Sequence, residues 1–305
     1  MIVLKVSLGI PVYNEEANVG EFLERLLKQK LKFVKLEEMI VIASGCTDRT
    51  VEIVKAYQRQ DKRIKLIEQK TRQGKTAADN LFIKAAKTKI LVLIGADTLP
   101  KKDCLENLVS PFKDPKIGVT GARMIPLNDR ITTAGYFSHL WWSLFDRVAS
   151  RYFRAGEIIA FRKVVKKIPL EIGSDEVFLT DAVLSQGYQP KYVRKAVAYN
   201  QGPKTIKDVV LMRRKHNWLT FQVLDWGLKT YYPKTMDGAY VFSLFLKEVN
   251  WLSPREAALA VMSAFLEVAS RILALYDFHF SQKRYLIWPR GESTKRLLGP
   301  KKRKR

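Results

Sequence analysis

The stretch VSLGIPVYNEEANV, residues 6–19, contains an apolar run, a polar turn and the acidic start of a helix. The apolar run at residues 3–10 is too short for a buried helix and predicts a strand. Apolar residues then recur at helical spacing over residues 15–29. Asn14 is the predicted N-cap of this helix, and two glutamates follow it at the positive end of the helix dipole. The chain is therefore expected to open with a strand, a polar loop at 11–16 and a helix.

The same alternation continues through the first two hundred residues. Further strands are predicted at residues 39–43, 64–67, 90–94 and 118–122, and further helices at 48–59 and 75–87. This alternation predicts an α/β fold with a mostly parallel, Rossmann-like sheet and helices on both faces. Ligands of such sheets bind beyond the carboxyl ends of the strands, so we expect the site at loops 11–16, 44–48 and 95–101.

The composition limits the classes of protein that this sequence forms. Hydrophobic residues make up 47% of the chain, which is enough for a core and excludes disorder throughout. The two cysteines, Cys46 and Cys104, are far apart, which argues against a disulfide scaffold and fits a reducing compartment. Residues 1–10 lack the pattern of a signal peptide. We therefore expect a cytoplasmic protein.

The formal net charge of +24 is unusually large for 305 residues. Residues 283–305 carry +9 of it, which leaves +15 on the rest of the chain. A field of this sign favours anionic partners such as nucleotide phosphates or an anionic membrane surface, although a lysine-rich soluble surface has the same composition. No nucleic-acid-binding motif accompanies the charge, so we expect no nucleic acid partner.

The sequence changes character after residue 225, where two long apolar stretches occupy residues 239–252 and 257–276. Between them, Ser253 and Glu256 fit a capping box with a proline at the first helical position. The polar residues of the second stretch share one narrow helical face and leave a wide apolar one: they are Ser263, Glu267, Ser270 and Arg271. We expect two amphipathic helices, which either pack on the preceding domain or lie on a membrane. The basic tail favours the membrane.

Two common nucleotide-binding motifs fail in this chain. Gly74-Lys75-Thr76 is like the end of a phosphate loop, but the position of its leading glycine is Gln69. There is no GxGxxG after the first strand, which argues against a dinucleotide oxidoreductase. The three histidines and two cysteines show no metal-binding spacing.

Five other motifs follow one another in a fixed order. They are VSLGIPVYNEEANV at 6–19, IVIASGCTDRTVEIV at 40–54, QGKTAADNLFIKAAKTKILVLIGADTLP at 73–100, AGEIIAFRK at 155–163 and SDEVFLTDAVLSQGYQPKYV at 174–193. In this order and spacing the chain resembles glycosyltransferase family 2, the inverting enzymes of the GT-A fold, over about residues 3–220. The resemblance implies a catalytic domain at 1–225, to which the sequence adds a helical appendage at 226–282 and a basic tail at 283–305.

The resemblance implies a site for a nucleotide-diphosphate-sugar donor. The residues expected to bind this donor are Pro11, Tyr13, Asn14, Glu15, Ser44, Lys75 and Asp97, which lie in the family motifs, together with Arg213 and Arg214 from the basic stretch 211–221. The family's DXD motif reads Gly95-Ala96-Asp97 here, so its first acid is missing, and Asp97 is the expected ligand of a divalent metal, Mn or Mg. The loop Ala43-Ser44-Gly45-Cys46 lacks the acids that relatives carry there, so the donor base is left open.

The resemblance also implies a catalytic acid pair before Gly187-Tyr188. The family keeps this pair eleven to twelve residues upstream, which here is Asp175-Glu176, in reverse of the usual order. Inverting transfer needs a carboxylate that removes the proton of the acceptor hydroxyl. By position that base is Glu176, and by residue type Asp175 remains the alternative.

The acceptor is constrained less strongly. Residues 211–221, LMRRKHNWLTF, do not match the QxxRW helix of polymer-extending relatives, which favours transfer of a single sugar. Their basic residues either clamp a diphosphate or a lipid phosphate, or form a solvated helix face. A membrane-held acceptor, a polyprenyl phosphate or a glycolipid, would place the protein at the inner face of the membrane. A non-catalytic nucleotide-sugar-binding protein stays open as an alternative. A sugar-phosphate nucleotidyltransferase is less favoured, because loop 11–16 is not glycine-rich.

Overall fold

The computed structural model describes residues 3–228, 238–281, 285 and 287. The basic tail expected at 283–305 therefore lies outside the described residues, apart from Tyr285 and Ile287.

Strands and helices alternate along the chain as the sequence predicts. In order they are β1 (Leu4–Val12), α1 (Val19–Leu27), β2 (Val34–Ser44), α2 (Thr50–Gln60), β3 (Ile64–Gln69), α3 (Lys75–Ala85), β4 (Ile90–Ile94), β5 (Thr98–Pro100), α4 (Cys104–Val109) with a following 3₁₀ turn (Ser110–Lys113), β6 (Ile117–Pro126), α5 (Thr133–Tyr152), β7 (Ile158–Arg162), α6 (Asp175–Leu184), β8 (Gln189–Asn200), α7 (Ile206–Asp225), α8 (Gly238–Glu248) and α9 (Pro254–Phe280). Each of the five predicted strands is present.

In the described part of the chain these strands form one sheet with the order β3-β2-β1-β4-β7-β6-β8-β5. The pairs β1–β2, β1–β4, β2–β3 and β6–β8 are parallel. β7 runs antiparallel to both β4 and β6, and the short β5 runs antiparallel to β8. The prediction of a mostly parallel α/β sheet is confirmed.

Alternate side chains of the buried strands face opposite layers of helices. In β4, Ile90, Val92 and Ile94 pack in one apolar cluster with residues of α1 and α4, whereas Leu91 and Leu93 pack in a second cluster with residues of α3 and α6. This period of two is expected for a strand that is covered on both faces. Helices on both faces are thereby confirmed.

The first helix begins later than the sequence predicts. α1 starts at Val19, and its N-cap residue is Asn18 rather than Asn14. Asn14 adopts a positive φ of 52°, a conformation that asparagine tolerates better than most residues. Its side chain bonds across to Thr47 instead of capping a helix. The residues between them form a turn in which the Glu15 carboxylate accepts from Asn18 Nδ2 at 2.7 Å.

The two C-terminal helices pack on α5 and α7. Ser253 Oγ accepts from the Glu256 amide at 3.4 Å, which confirms the predicted cap of α9. Glu248 at the end of α8 accepts from Ser143 Oγ and Arg147 Nε on α5. On the other side, the Trp218 ring of α7 makes an edge contact with a phenylalanine of α9.

α9 turns its polar side inward and its apolar side outward. Ser263 and Ser270 are buried, and Asp277 is 2% exposed. The large apolar residues on the opposite side are exposed: they are Val261, Met262, Phe265, Val268, Ile272, Tyr276 and Phe280. A helix packed on a soluble domain normally buries its apolar face, so this polarity is inverted. By length and composition alone, α9 is also the one described helix that is long and apolar enough to cross a membrane.

Candidate active site

The ends of β1 and β2 meet at the carboxyl edge of the sheet. Pro11 pairs with Ile42 in the parallel register. Just beyond, Asn14 Oδ1 accepts from the Thr47 amide at 2.8 Å, and Asn14 Nδ2 donates to Thr47 Oγ1 at 3.0 Å. These reciprocal bonds fix the loop after β1 against the loop after β2.

The neighbouring contacts extend this corner. The Glu15 amide donates to Thr50 Oγ1 at 2.7 Å. The Arg72 guanidinium lies 3.9 Å from the centroid of the Tyr13 ring. Ser44 Oγ accepts from the Gln73 amide at 3.3 Å, which leaves its hydroxyl proton for another partner. The predicted donor residues of loops 11–15 and 44 therefore lie together at one corner of the sheet edge.

The acid pair at the start of α6 meets the start of α3. Lys75 Nζ contacts Asp175 Oδ2 and lies 3.6 Å from Asp79 Oδ2. Asp175 and Asp79 are buried, whereas Glu176 is half-buried. Lys75 thus lies against the predicted catalytic acid pair, although it was expected to bind the donor.

The pKa values of the two members of the pair are shifted in opposite directions. Desolvation would raise the pKa of Asp175, but the charge and hydrogen bond of Lys75 outweigh it and lower this pKa. Desolvation, followed by the negative charge of Asp175, raises the pKa of Glu176 to about 7. Burial also raises the pKa of Asp79 well above its ordinary value. Asp175 is therefore a fixed anion, and Glu176 exchanges its proton near neutral pH.

A second group of polar side chains lies at the end of β4. Asp97 is exposed in the loop between β4 and β5, and Glu157 immediately precedes β7. Asn200, the last residue of β8, donates from Nδ2 to Glu157 Oε1 at 2.8 Å. Desolvation, followed by the negative charge of Asp97, raises the pKa of Glu157 to about 8. The two carboxyl groups are therefore close enough to repel one another.

Lys215 on α7 lies within electrostatic range of both the acid pair of α6 and the polar group at the end of β4. Its side chain is only 3% exposed, and burial lowers the pKa of Lys215 well below its ordinary value. The charges that act on it include those of Glu176 and Asp97. Of the two alternatives for residues 213–216, the solvated helix face does not hold for Lys215, which is buried.

The neighbouring arginines are engaged by α9. Arg213 Nε donates to Glu267 Oε2 at 2.6 Å, and its guanidinium carbon lies 3.5 Å from the centroid of the Trp141 ring. Arg214 makes a two-bond ion pair with the buried carboxylate of Asp277. Both guanidinium groups are thus paired with carboxylates of α9, and the assignment of Arg213 and Arg214 to the donor stays a prediction. They join α7 to α9.

Sequence reasoning missed three residues of this site. Glu157 lies within the motif AGEIIAFRK at 155–163, as the acid before an apolar strand, and that position was the available signal. Asn200 and Asp79 carried no such signal, because an asparagine at a strand end and an aspartate inside a helix are common in any fold. Only the fold brings them beside the acids.

The residues present fit a divalent metal that the substrate helps to hold. Among the described residues, no group of three or more His, Cys, Asp or Glu side chains lies within coordinating distance. Mg²⁺ is commonly held by one or two carboxylates together with substrate phosphates, and Mn²⁺ also suits oxygen ligands. Asp97 offers such a carboxylate at the exposed edge of the sheet, so the donor set is suitable for a metal–diphosphate complex.

This sheet, with an acid after β4 and an acid pair at the start of α6, defines a GT-A type of fold. The sequence model described as "Glycosyl transferase family 2" matches residues 7–167, just over half of the chain. The chain therefore belongs to glycosyl transferase family 2, as the motifs predict.

Individual relatives agree with this assignment. Glycosyltransferase GlyG of Streptococcus pneumoniae is 30% identical over 109 residues, which are 36% of this chain and 35% of GlyG. Dodecaprenyl-phosphate galacturonate synthase of Rhizobium johnstonii is 27% identical over 111 residues, 36% of this chain and 33% of that protein. The chain thus spans about a third of the length of these curated relatives.

A solved structure covers much more of the chain. Mannosyltransferase PcManGT from Pyrobaculum calidifontis, crystallised with GDP-Man and Mn²⁺, superposes with a TM-score of 0.62 at 19% identity. The superposition covers 91% of this chain and 88% of that one. At this identity the likeness establishes the fold, which extends beyond the region that the family model matches.

Proposed function

We propose that this protein transfers one sugar from a nucleotide-diphosphate sugar to a hydroxyl or phosphate acceptor, with inversion at the anomeric carbon. The observation that carries the proposal is the state of the acid pair. A half-buried Glu176 with a pKa of about 7 stands beside Asp175, whose charge Lys75 holds. A general base works best when its pKa lies near the operating pH.

In this mechanism the two acids have different roles. With a hydroxyl acceptor, Glu176 removes the proton from the acceptor oxygen as that oxygen attacks the sugar, and the nucleoside diphosphate leaves from the opposite side. Asp175 is a positioning residue, since its carboxylate is held by Lys75 and its negative charge keeps the pKa of Glu176 raised. This division of roles supports Glu176 over Asp175 as the base.

The donor would occupy the corner formed by the loops after β1, β2 and β4. The Tyr13 ring, covered by Arg72, offers an aromatic surface to the nucleotide base. The Ser44 hydroxyl offers it a hydrogen-bond donor. Asp97 would hold the divalent ion, which neutralises the leaving diphosphate when bound. The buried amino group of Lys215 lies within electrostatic range of Asp97.

The test is a panel of nucleotide-diphosphate sugars added to the full chain with and without Mn²⁺. A ligand that binds only the folded state raises the melting temperature according to its affinity. We expect at least one nucleotide sugar to raise it, and to do so more with Mn²⁺. No shift with any donor would contradict the proposal, whereas a shift without transfer to any acceptor would favour the non-catalytic alternative.

We further propose that the acceptor is lipid-linked and that α8 and α9 rest on the cytoplasmic face of a membrane. The inverted polarity of α9 supports this, because its outward residues form an exposed apolar strip, and Phe242 of α8, Trp251 and Leu252 are exposed as well. Large exposed apolar surfaces mark interaction sites. The sequence after residue 283 adds +9, which suits an anionic leaflet. The name of the Rhizobium relative, a dodecaprenyl-phosphate sugar synthase, is consistent with a lipid acceptor.

Replacing Phe265 and Ile272 together by glutamate should abolish vesicle binding. These side chains are 66% and 61% exposed, so their replacement leaves the core intact. Two large apolar side chains contribute about 3–6 kcal/mol when buried, and the partition coefficient should fall on the order of 100-fold or more. Flotation with vesicles of anionic phospholipid measures this. Binding of the unmodified chain should weaken as salt rises, because the basic charges are exposed.

The matched control replaces Val3 and Leu170, two exposed apolar residues outside α8 and α9, by glutamate. This variant adds the same charge and should bind vesicles nearly as the unmodified chain does. Failure of the unmodified chain to bind vesicles, together with dimers in light scattering, would show that a second copy covers the apolar strip instead.

A further inference from the structure

The pairing of β4 with β7 brings an acid to the place where the family's motif has lost one. The antiparallel register ends with Ile94 opposite Ile158. One position further along each strand stand Gly95 and Glu157. Directly opposed residues of an antiparallel pair project to the same face of the sheet. Glu157 is therefore presented on the side of the sheet where a side chain at position 95 would stand.

Asn200 ties this acid to the loop that carries Asp97. It pairs with Thr98, the residue after Asp97, and its Nδ2 donates to Glu157 Oε1 at 2.8 Å. The side chain is only 5% exposed, and its Oδ1 has no hydrogen-bond partner. A buried carbonyl oxygen without a partner is costly, and its presence here indicates a ligand that the site is built to receive.

The oxygens in this arrangement suit a hard divalent cation. Carboxylate and amide oxygens are the groups that Mg²⁺ and Mn²⁺ prefer. Gly95 leaves space for the present position of the Asp97 side chain, since a Cβ at residue 95 would lie only 2.4 Å from Asp97 Oδ1. An acid at position 95 would thus have to displace the Asp97 side chain from its present position.

We propose that Glu157 and the Asn200 carbonyl oxygen are additional ligands of the divalent metal, and that Glu157 replaces the missing first acid of the DXD motif from the facing strand. The inference rests on the proposed function, because that function brings the metal and the diphosphate to Asp97. It adds the statement that this chain holds the metal from two strands rather than from one loop.

The experiment titrates Mn²⁺ into the full chain in the presence of a saturating nucleoside diphosphate, GDP or UDP, and follows free Mn²⁺ by electron paramagnetic resonance. Glu157→Gln keeps the size of the side chain and removes its charge. We expect its affinity for Mn²⁺ to fall by at least about tenfold, because one anionic ligand is lost. Glu171→Gln, which removes an exposed acid that is not part of the cluster, should bind as the unmodified chain does.

A charge-conserving variant separates ligation from folding. Glu157→Asp keeps the carboxylate and should retain most of the affinity that Glu157→Gln loses. Mn²⁺ binding by Glu157→Gln that equals the unmodified chain would overturn the inference and leave the proposed function standing. So would an equal loss of affinity in Glu157→Asp and Glu157→Gln. If the unmodified chain binds no nucleoside diphosphate, with or without Mn²⁺, both the proposed function and this inference fail.

Discussion

Glu176→Gln is expected to lower the rate of sugar transfer by about 10²–10⁴-fold while donor binding is retained. Glutamine keeps the volume and the hydrogen-bonding capacity of glutamate but does not accept the proton of the acceptor hydroxyl, and a general base contributes about this factor. Single-turnover transfer at saturating donor measures the rate, and the donor-induced rise in melting temperature measures the binding. A normal rate in this variant would show that Glu176 is not the base.

The pH profile identifies the base independently of the absolute rate. Below a pH of about 7 Glu176 is protonated and inactive, so kcat/KM should rise with pH up to about 7 and then level off. In Glu176→Gln the residual activity should no longer show this rise with pH, the acidic limb of the profile.

Asp175→Asn is the informative comparison. The negative charge of Asp175 raises the pKa of Glu176, so its removal should shift the limb to lower pH without abolishing it. If instead Asp175→Asn removes the limb and Glu176→Gln is mild, the roles of the two acids are reversed.

The residues that the sequence located correctly belong to elements with local signals. The strand and polar turn of residues 6–16 and the acid pair at the start of α6 follow from periodicity and from family spacing, because neighbours in the chain determine both. The predicted capping role of Asn14 did not follow. Its side chain bonds to Thr47, 33 residues along the chain, instead of capping its own helix. The sequence indicated a polar turn at Asn14 but did not indicate that Thr47 is its hydrogen-bond partner.

The missed contacts depend on long-range pairing. Glu157 approaches Gly95 only because β7 inserts next to β4, and Asn200 reaches Glu157 from the end of β8. The polar and apolar faces of α9 were separated from the sequence, but which of the two packs on the protein was left open. Hydrophobic periodicity gives the angle between polar and apolar residues, whereas Arg213 and Arg214 determine which side faces the protein.

Asp97→Ala is expected to remove the effect of the metal on donor binding and to lower transfer by orders of magnitude with the fold intact. Asp97 is exposed at the loop after β4, so its removal leaves no cavity in the core. Isothermal titration with a nucleoside diphosphate, with and without Mn²⁺, measures the effect. Asp103→Ala is the matched control, because this nearby exposed aspartate makes no side-chain cap bond to α4.

The decisive quantity is the ratio of the diphosphate affinity with Mn²⁺ to the affinity without it. A change in the contacts of the nucleotide base alters both affinities equally and cancels in this ratio. In the unmodified chain Mn²⁺ should tighten binding of the diphosphate, since the ion joins two anionic groups that otherwise repel one another. In Asp97→Ala the ratio should fall towards one, while metal-free binding at the loops after β1 and β2 stays the same. An unchanged ratio together with unchanged turnover would remove Asp97 from the metal site and leave the carboxylate of Glu157, on the facing strand, as the remaining candidate.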